Sequence, residues 1–238
     1  MKNSLKIILF TILMISVYGC NSKNAKKQVH AKKTVKEYKS DDYWVKNIGS
    51  RFNIIKDGNF SATVSLDSLL QNPNLFAIGP IEGLKGEITV NDGKVYVATM
   101  DNDNPKFSNT TMNTKAIFMV YGSCSEWIKI PTNGSDMEKP FPFKIEGKVN
   151  TLNYHIIYKK DKVPHNVEEH QKAKQKFEIA NENIEVIGFW ADAKGEGVYT
   201  HPGHRTHLHF TESNNNKSGH IDDIKLMQEA ILYLPLVH

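Results

Sequence analysis

The chain has 238 residues, 39% of them hydrophobic and 24% charged, with a formal net charge of +4, two cysteines and ten histidines. That length supports one sizeable domain around a real hydrophobic core, and the composition is ordinary for a globular protein. The positive charge does not point to nucleic acid: Lys23, Lys26, Lys27, Lys32, Lys33, Lys36 and Lys39 lie in one short stretch, and the remainder is slightly acidic.

At the start of the chain, Lys2 and Lys6 precede an apolar run from Ile7 to Val17, too short for a comfortable membrane span but of signal-peptide length. The run closes with Val17-Tyr18-Gly19-Cys20, which resembles the lipobox of bacterial lipoproteins, although Tyr18 is bulkier than the usual residue there. The resemblance implies that residues 1–19 are a cleaved lipoprotein-type signal peptide and that Cys20 is the lipidated N-terminus. The protein would then be exported and anchored to a cell-envelope membrane. A plain secretory signal with an incidental cysteine is the alternative. If Cys20 carries lipid, Cys124 has no disulfide partner within the chain, and stability must come from the core. Residues 20–42 are polar, lysine-rich and almost free of large aliphatics, so they read as a flexible tether.

The folded body is expected from Tyr43, with an extended YWVKNI and a short helix after Ser65, an N-cap for LDSLLQ. Within LFAIGPIEGLKGEITVNDGKVYVA, Leu75 to Ala98, Ile88 and Val90 alternate with Glu87 and Thr89. Asn91-Asp92-Gly93 then supplies a turn, and Val95 and Val97 resume the alternation, which predicts a hairpin. Glu87 on the inward face would need a metal, a cation or donors; on the outward face it would be a solvated residue. Asp101 to Thr114 is a polar loop without EF-hand spacing, followed by an apolar strand, Ala116 to Tyr121. Trp127 to Ile130 and Phe141 to Ile145 continue the extended pattern, and Gly147 leads into a segment ending in the strand YHIIY, which contains His155. Val167 to Phe177 reads as a polar surface helix, Ile184 to Trp190 as a strand, and the last element, to Tyr233, as a further helix.

The most informative stretch is THLHFTESNNNKSGH, Thr206 to His220. On an extended strand His207 and His209 share one face while Leu208 and Phe210 share the other. The asparagine-rich Glu212 to Ser218 predicts a turn, and a hairpin would return His220 to the pair. Three neutral imidazoles suit zinc or another borderline divalent metal and leave a coordination position open, the pattern of a catalytic site. The bland reading is a chance H-x-H in a surface strand. His201, His204 and Arg205, just upstream, form an outer shell in this reading.

The HLHF block with its third histidine eleven residues on, and the Leu75 to Ala98 block more than a hundred residues earlier, together resemble bacterial alpha-acetolactate decarboxylases. A cupin barrel, the other H-x-H family considered, fits less well, because only two residues separate His209 from Glu212. The resemblance implies His207, His209 and His220 as metal ligands and Glu87 in the active site. It places His155 where the family usually carries an arginine that binds substrate oxygen or handles a proton. Histidine lacks the permanent charge and the fork of arginine but titrates near neutral pH; a half-buried sheet histidine is the alternative. Arg205 is a candidate to replace that arginine. Pro80 stands where the family tends to have a threonine, and Glu229 is too close to His220 to be equated with the family's late glutamate.

The implied reaction is decarboxylation of 2-acetolactate, or a related branched 2-hydroxy-3-keto acid, to acetoin or its homologue. A metal, Zn2+ or another divalent transition metal, would act as Lewis acid, with Glu87, His155 and Arg205 as catalytic candidates. The alternative function is a non-catalytic, lipid-anchored metal- or ligand-binding protein of the same fold. Expected partners are the small-molecule acid and, through lipid, a membrane, with no nucleic acid; a homodimer is one arrangement the sequence allows. The expected architecture is α+β, with mixed and antiparallel sheets and few helices, since most segments alternate at period two. Residues 43–238 read as one continuous domain, and the family fold would place the metal between strands.

Overall fold

The structure, a computed structural model, describes residues 43–129, 139–212 and 214–236. The expected signal peptide, Cys20 and the tether lie outside the described residues, as do Ile130 and most of the connection after it. Among the described residues, no helix is long and apolar enough to cross a membrane.

The first half of the body forms a six-stranded antiparallel sheet. Its strands are β1 (Tyr43–Ile48), β3 (Leu75–Pro80), β4 (Gly86–Asn91), β5 (Lys94–Asp101), β6 (Asn104–Ser108) and β8 (Met119–Cys124), in the order β1-β8-β3-β4-β5-β6. The short strands β2 (Val64–Ser65) and β7 (Lys115–Ala116) pair with each other, and the helices α1 (Arg51–Asp57) and α2 (Leu66–Leu69) are brief. The turn between β4 and β5 holds Asp92 at φ 50° and Gly93 at φ 76°. Two positive φ values in a two-residue loop match the right-handed twist of the flanking strands, which is why Asp-Gly suits this position.

The second half is organised by one long strand, β10 (Phe141–Ile157). The remaining strands are β9 (Trp127–Lys129), β11 (Lys174–Ala180), β12 (Asn183–Trp190), β13 (Thr206–Glu212), β14 (Lys217–Leu226) and β15 (Ile231–Pro235). The first half of β10 pairs with β12, which pairs with β13, then β14, and β14 returns to the second half of β10. The circuit is therefore closed. Register shifts at Val149/Thr151 and Asn153/Tyr154 give β10 the local bends that closure demands. Val149, Leu152, Tyr154, Ile156, Val186, Phe210 and Ile224 fill this unit, with Ala98 and Met100 contributed by β5.

The two sheets pack through Phe76, Ile78 and Val120 of the first and Phe141, Phe143, Ile187 and Phe189 of the second. On its other face the first sheet buries Leu75, Ala77, Ile88 and Val90 with Leu66 and Leu69 of the α2 region. The α+β architecture with few helices and antiparallel sheets is the one the alternation predicts; every ladder among the described residues is antiparallel.

Several elements differ from expectation. Within Asp101 to Thr114, read as a polar loop, Asn104–Ser108 forms strand β6 against β5. The helix after Asn166, α3 (Val167–Lys172), ends early, and Lys174–Ala180 becomes strand β11 along the second half of β10. There Phe177 packs on Tyr154 with ring centres 5.4 Å apart, so sheet pairing and aromatic packing override the helical pattern. The final element is β15 rather than a helix: it pairs with β10 and β9, and Tyr233 donates to Glu146 at 2.7 Å. Phe141–Ile145 and the YHIIY strand are one continuous strand, because the ladder of β10 with β12 runs through Gly147 to Lys148 and the ladder with β14 takes over at Val149.

Phe210 is fully buried inside the closed circuit. Phe210→Ala is expected to lower unfolding free energy by about 3–5 kcal/mol in urea titration. Val167→Ala, at a site 68% exposed, is expected to change it by no more than about 0.5 kcal/mol.

Candidate metal centre and cleft

The β13–β14 hairpin sets His209 directly opposite His220, and the next ladder sets His220 opposite His155. Residues facing each other across antiparallel strands point to the same side of a sheet, so three strands present a row of imidazoles. His207, two residues before His209 on β13, joins them. Phe210 on the same strand points into the core, so the alternation read in HLHF is the one the fold uses. Gly219 is required beside His220, because a Cβ there would lie 2.6 Å from the Tyr154 ring.

His201 comes from the loop between β12 and β13. One nitrogen from each of His201, His207 and His220 falls within a 4.8 Å span, and His155, His220 and Asp222 form a second such group. Ring centres lie 4.7 Å apart for His201–His207, 4.9 Å for His201–His220 and 5.0 Å for His207–His220. His209 stands against the same cluster, 5.4 Å from His207 and 5.2 Å from His220. Its Nδ1 is 2.8 Å from the Thr89 hydroxyl, and its buried Nε2 has no hydrogen-bond partner. His207 is anchored by a hydrogen bond to the Tyr199 backbone.

The opposite wall is β4. Glu87, Thr89 and Asn91 share one face and are all buried: Thr89 meets His209, and Asn91 donates to Glu185 and Thr211. Glu87 Oε1 accepts from the Ile157 amide at 3.3 Å, and Oε2 lies 3.9 Å from His209 Nε2. Glu87 therefore faces inward, across the inter-sheet space from the histidines. Pro80, its cross-strand partner, lines the same cleft.

Burial dominates the electrostatics. It pushes the Glu87 carboxyl up to about 8, opposed by the Ile157 amide and the charge of Lys174. It pulls His207 down to about 3, helped by the charge of Arg51, and depresses His201, His209 and His220 well below the ordinary imidazole range. His155 is also lowered by burial, against the pull of Asp222, whose Oδ1 is 2.8 Å from Nδ1. The cluster is thus a set of neutral imidazoles beside a carboxyl that holds its proton near neutral pH.

Two cavities meet at this cluster, and Arg51, Phe118, His201 and His207 line both. The one that also touches Glu87, His155, His170, Lys174 and His220 offers about 420 Å3 of space, part of it open solvent. Arg205 and His204 are exposed and line neither cavity. Glu229 is exposed in the turn before β15. Sequence reasoning set His201 in an outer shell and did not single out Arg51, Lys174, His170 or Asp222. Thr89 was readable from its alternation with Ile88 and Val90. Arg51 had no signal, because nothing local marks a helix that folds back onto a site built 150 residues later.

Comparison with known proteins gives a consistent picture. No curated protein matches the chain. The solved structures that resemble it include alpha-acetolactate decarboxylase from Bacillus subtilis strain 168, at TM-score 0.65 and 17% identity over 81% of this chain and 86% of that one. Acetolactate decarboxylase from Bacillus subtilis subspecies spizizenii matches at TM-score 0.64 and 18% identity over 80% and 84%. A Staphylococcus aureus protein of unknown function, similar to alpha-acetolactate decarboxylase, matches at TM-score 0.63 and 14% identity over 80% and 84%. At such identities the likeness concerns the fold; the sequence model for alpha-acetolactate decarboxylase matches residues 49–236 and extends it to descent, and the chain belongs to that family.

Proposed function

We propose that the protein is a metal-dependent carboxy-lyase that decarboxylates 2-acetolactate, or a related branched 2-hydroxy-3-keto acid, to acetoin or its homologue. The observation that carries this reading is geometric: across one buried cleft Glu87 faces the imidazole cluster, its Oε2 3.9 Å from His209 Nε2, and burial favours the neutral form of both. A protein that only stored metal would have no use for an acid held at that place.

The residues fit a borderline divalent ion such as zinc. Imidazoles sharing one ion at about 2.0–2.1 Å hold their ring centres roughly 5 Å apart, and the observed separations run from 4.7 to 5.4 Å. The unpartnered Nε2 of His209, buried at 0% exposure, is an orphan that a ligand bond would satisfy. His207, His209 and His220 would hold the ion, with His201 placed to complete or exchange within the set. When bound, the ion supplies Lewis acidity at the ketone and hydroxyl oxygens of the substrate.

The chain's own groups account for the remainder. As the bond between the carboxylate carbon and C2 breaks, carbon dioxide leaves and the electron pair moves toward the ketone oxygen. A proton must then reach C2. Glu87, with its carboxyl directed at the histidines and its pKa raised by burial, is the donor in this reading. His155, oriented by Asp222, is the second group able to move a proton. Arg205, exposed and lining neither cavity, is given no step in this reading. If the leader acts as its sequence implies, Cys20 would hold the enzyme at a membrane and the substrate would be met outside the cytoplasm. A lipid-anchored binding protein of this fold is the second reading, favoured by the four clustered imidazoles, which could close the coordination sphere.

Three outcomes follow. The purified protein is expected to hold about one zinc per chain by elemental analysis and to form acetoin from racemic 2-acetolactate. The His207→Ala, His209→Ala variant should lose both, whereas metal without acetoin above the spontaneous rate would leave the binding reading standing. Glu87→Gln is expected to keep the metal and lower kcat by about 100-fold, the lower range for a positioned acid.

Third, urea midpoints of the metal-free protein are expected to fall as pH drops from 7 to 5. Unfolded imidazoles take up protons near pH 6.5 that the folded cluster refuses down to about 3 for His207. Each contributes a slope of up to ~1.4 kcal/mol per pH unit in that window. Glu87, raised to about 8, works the other way with a single such slope, so the histidines prevail.

A further inference from the structure

Arg51 opens helix α1, and its side chain lines both cavities at the point where they meet His201 and His207. Its Nη1 is buried and has no hydrogen-bond partner, and among the described residues no carboxylate lies within ion-pair distance of it. Burial lowers its pKa, as expected of a partly desolvated guanidinium whose Nη1 meets no acceptor. The acids in the cleft do not serve it: Glu87 accepts from the Ile157 amide and faces His209, and Asp222 is engaged by His155. The other charges facing it make matters worse. Lys174 is a second, half-buried cation whose field and that of Arg51 oppose each other, and Arg51 also depresses His207, His201 and His170.

A buried charged donor without an acceptor is unfavourable. It persists where a ligand supplies the missing charge. The guanidinium fork matches a carboxylate by two parallel hydrogen bonds, and the imidazole cluster beside it suits neighbouring hydroxyl or keto oxygens.

We propose that Arg51 is the substrate-carboxylate receptor of this cleft, selecting short 2-hydroxy carboxylates by pairing their carboxylate while the oxygen on the adjacent carbon faces the histidines. The inference rests on the decarboxylase reading for the identity of the substrate, and on the unpaired guanidinium alone for the anion.

Decarboxylation gives the contact a definite kinetic consequence. Negative charge leaves the carboxylate as carbon dioxide departs, so Arg51 stabilises bound substrate more than the reacting state. Its loss should raise KM and leave kcat unreduced or nearly so.

The test uses the purified full chain and two unreactive probes of similar size, 2-hydroxy-2-methylpropanoate and the neutral 2-methylpropane-1,2-diol, titrated calorimetrically. The wild type is expected to prefer the carboxylate. Arg51→Gln should weaken it ~10- to ~100-fold, the worth of a charge-assisted hydrogen bond, while the diol, the zinc content and the circular dichroism stay unchanged. Arg51→Lys, which keeps the charge and loses the fork, should fall between the two. That graded order, and the KM effect with 2-acetolactate, are results a merely structural arginine would not give. Equal binding of the two probes by the wild type, or an undiminished carboxylate preference in Arg51→Gln, overturns the proposal. Failure of the wild type to form acetoin, with the carboxylate preference intact and lost in Arg51→Gln, would instead sink the decarboxylase reading and leave the anion site standing.

Discussion

The structure depends on a layer of polarity between two sheets that would otherwise close on each other as oil. Strand β4 turns Ile88 and Val90 to one side and Glu87, Thr89 and Asn91 to the other, and all five are buried. A buried polar face is tolerated only when its groups find partners. Here the partners come from β13 and β12: the Thr89 hydroxyl meets His209, and Asn91 spans Glu185 and Thr211. This stripe fixes how the sheets sit on one another, because a slip of one residue would bury the polar groups against Phe210 and its neighbours. The same contacts that set the packing also aim Glu87 and the imidazoles into one cleft.

The parts of this arrangement that were legible in the sequence were those with a local period. The alternation around Glu87 and around His207 and His209 named the strands, the faces and the turn at Asp92 and Gly93, because on a strand the face of a side chain follows from its parity. What had no local period was hidden. Lys174–Ala180 carried enough charged residues to pass for a continuing helix, and only the free edge of β10 decides that it is a strand. His201 lies in a loop, where spacing says nothing of direction. Arg51 reaches the cleft because α1 folds back beneath β8, a tertiary event with no trace in its neighbours in the chain.

The residues that match the family resemblance and those that depart from it fall on different elements. The β13–β14 hairpin and β4 keep the acid and the imidazoles. The position on β10 taken by His155 is tied to Asp222, and Pro80 on β3 gives the cleft a wall with no hydroxyl and no N–H. The cations that line the cleft stand in the first turn of α1, Arg51, and on β11, Lys174. A cleft can redistribute its charges among the elements that line it so long as the field at the reacting atoms keeps its sign.

The closed circuit around β10 bears on how the protein comes to exist at all. Thr89 and His209 are 120 residues apart in sequence, and Glu87 reaches the amide of Ile157 across 70. Such distant pairings are slow to form, because loop closure must precede the contacts that reward it. A growing chain contains both walls only once the hairpin bearing His207, His209 and His220 has followed β4, more than a hundred residues behind it. The polar cleft is therefore a property of the folded molecule and of no local segment of it.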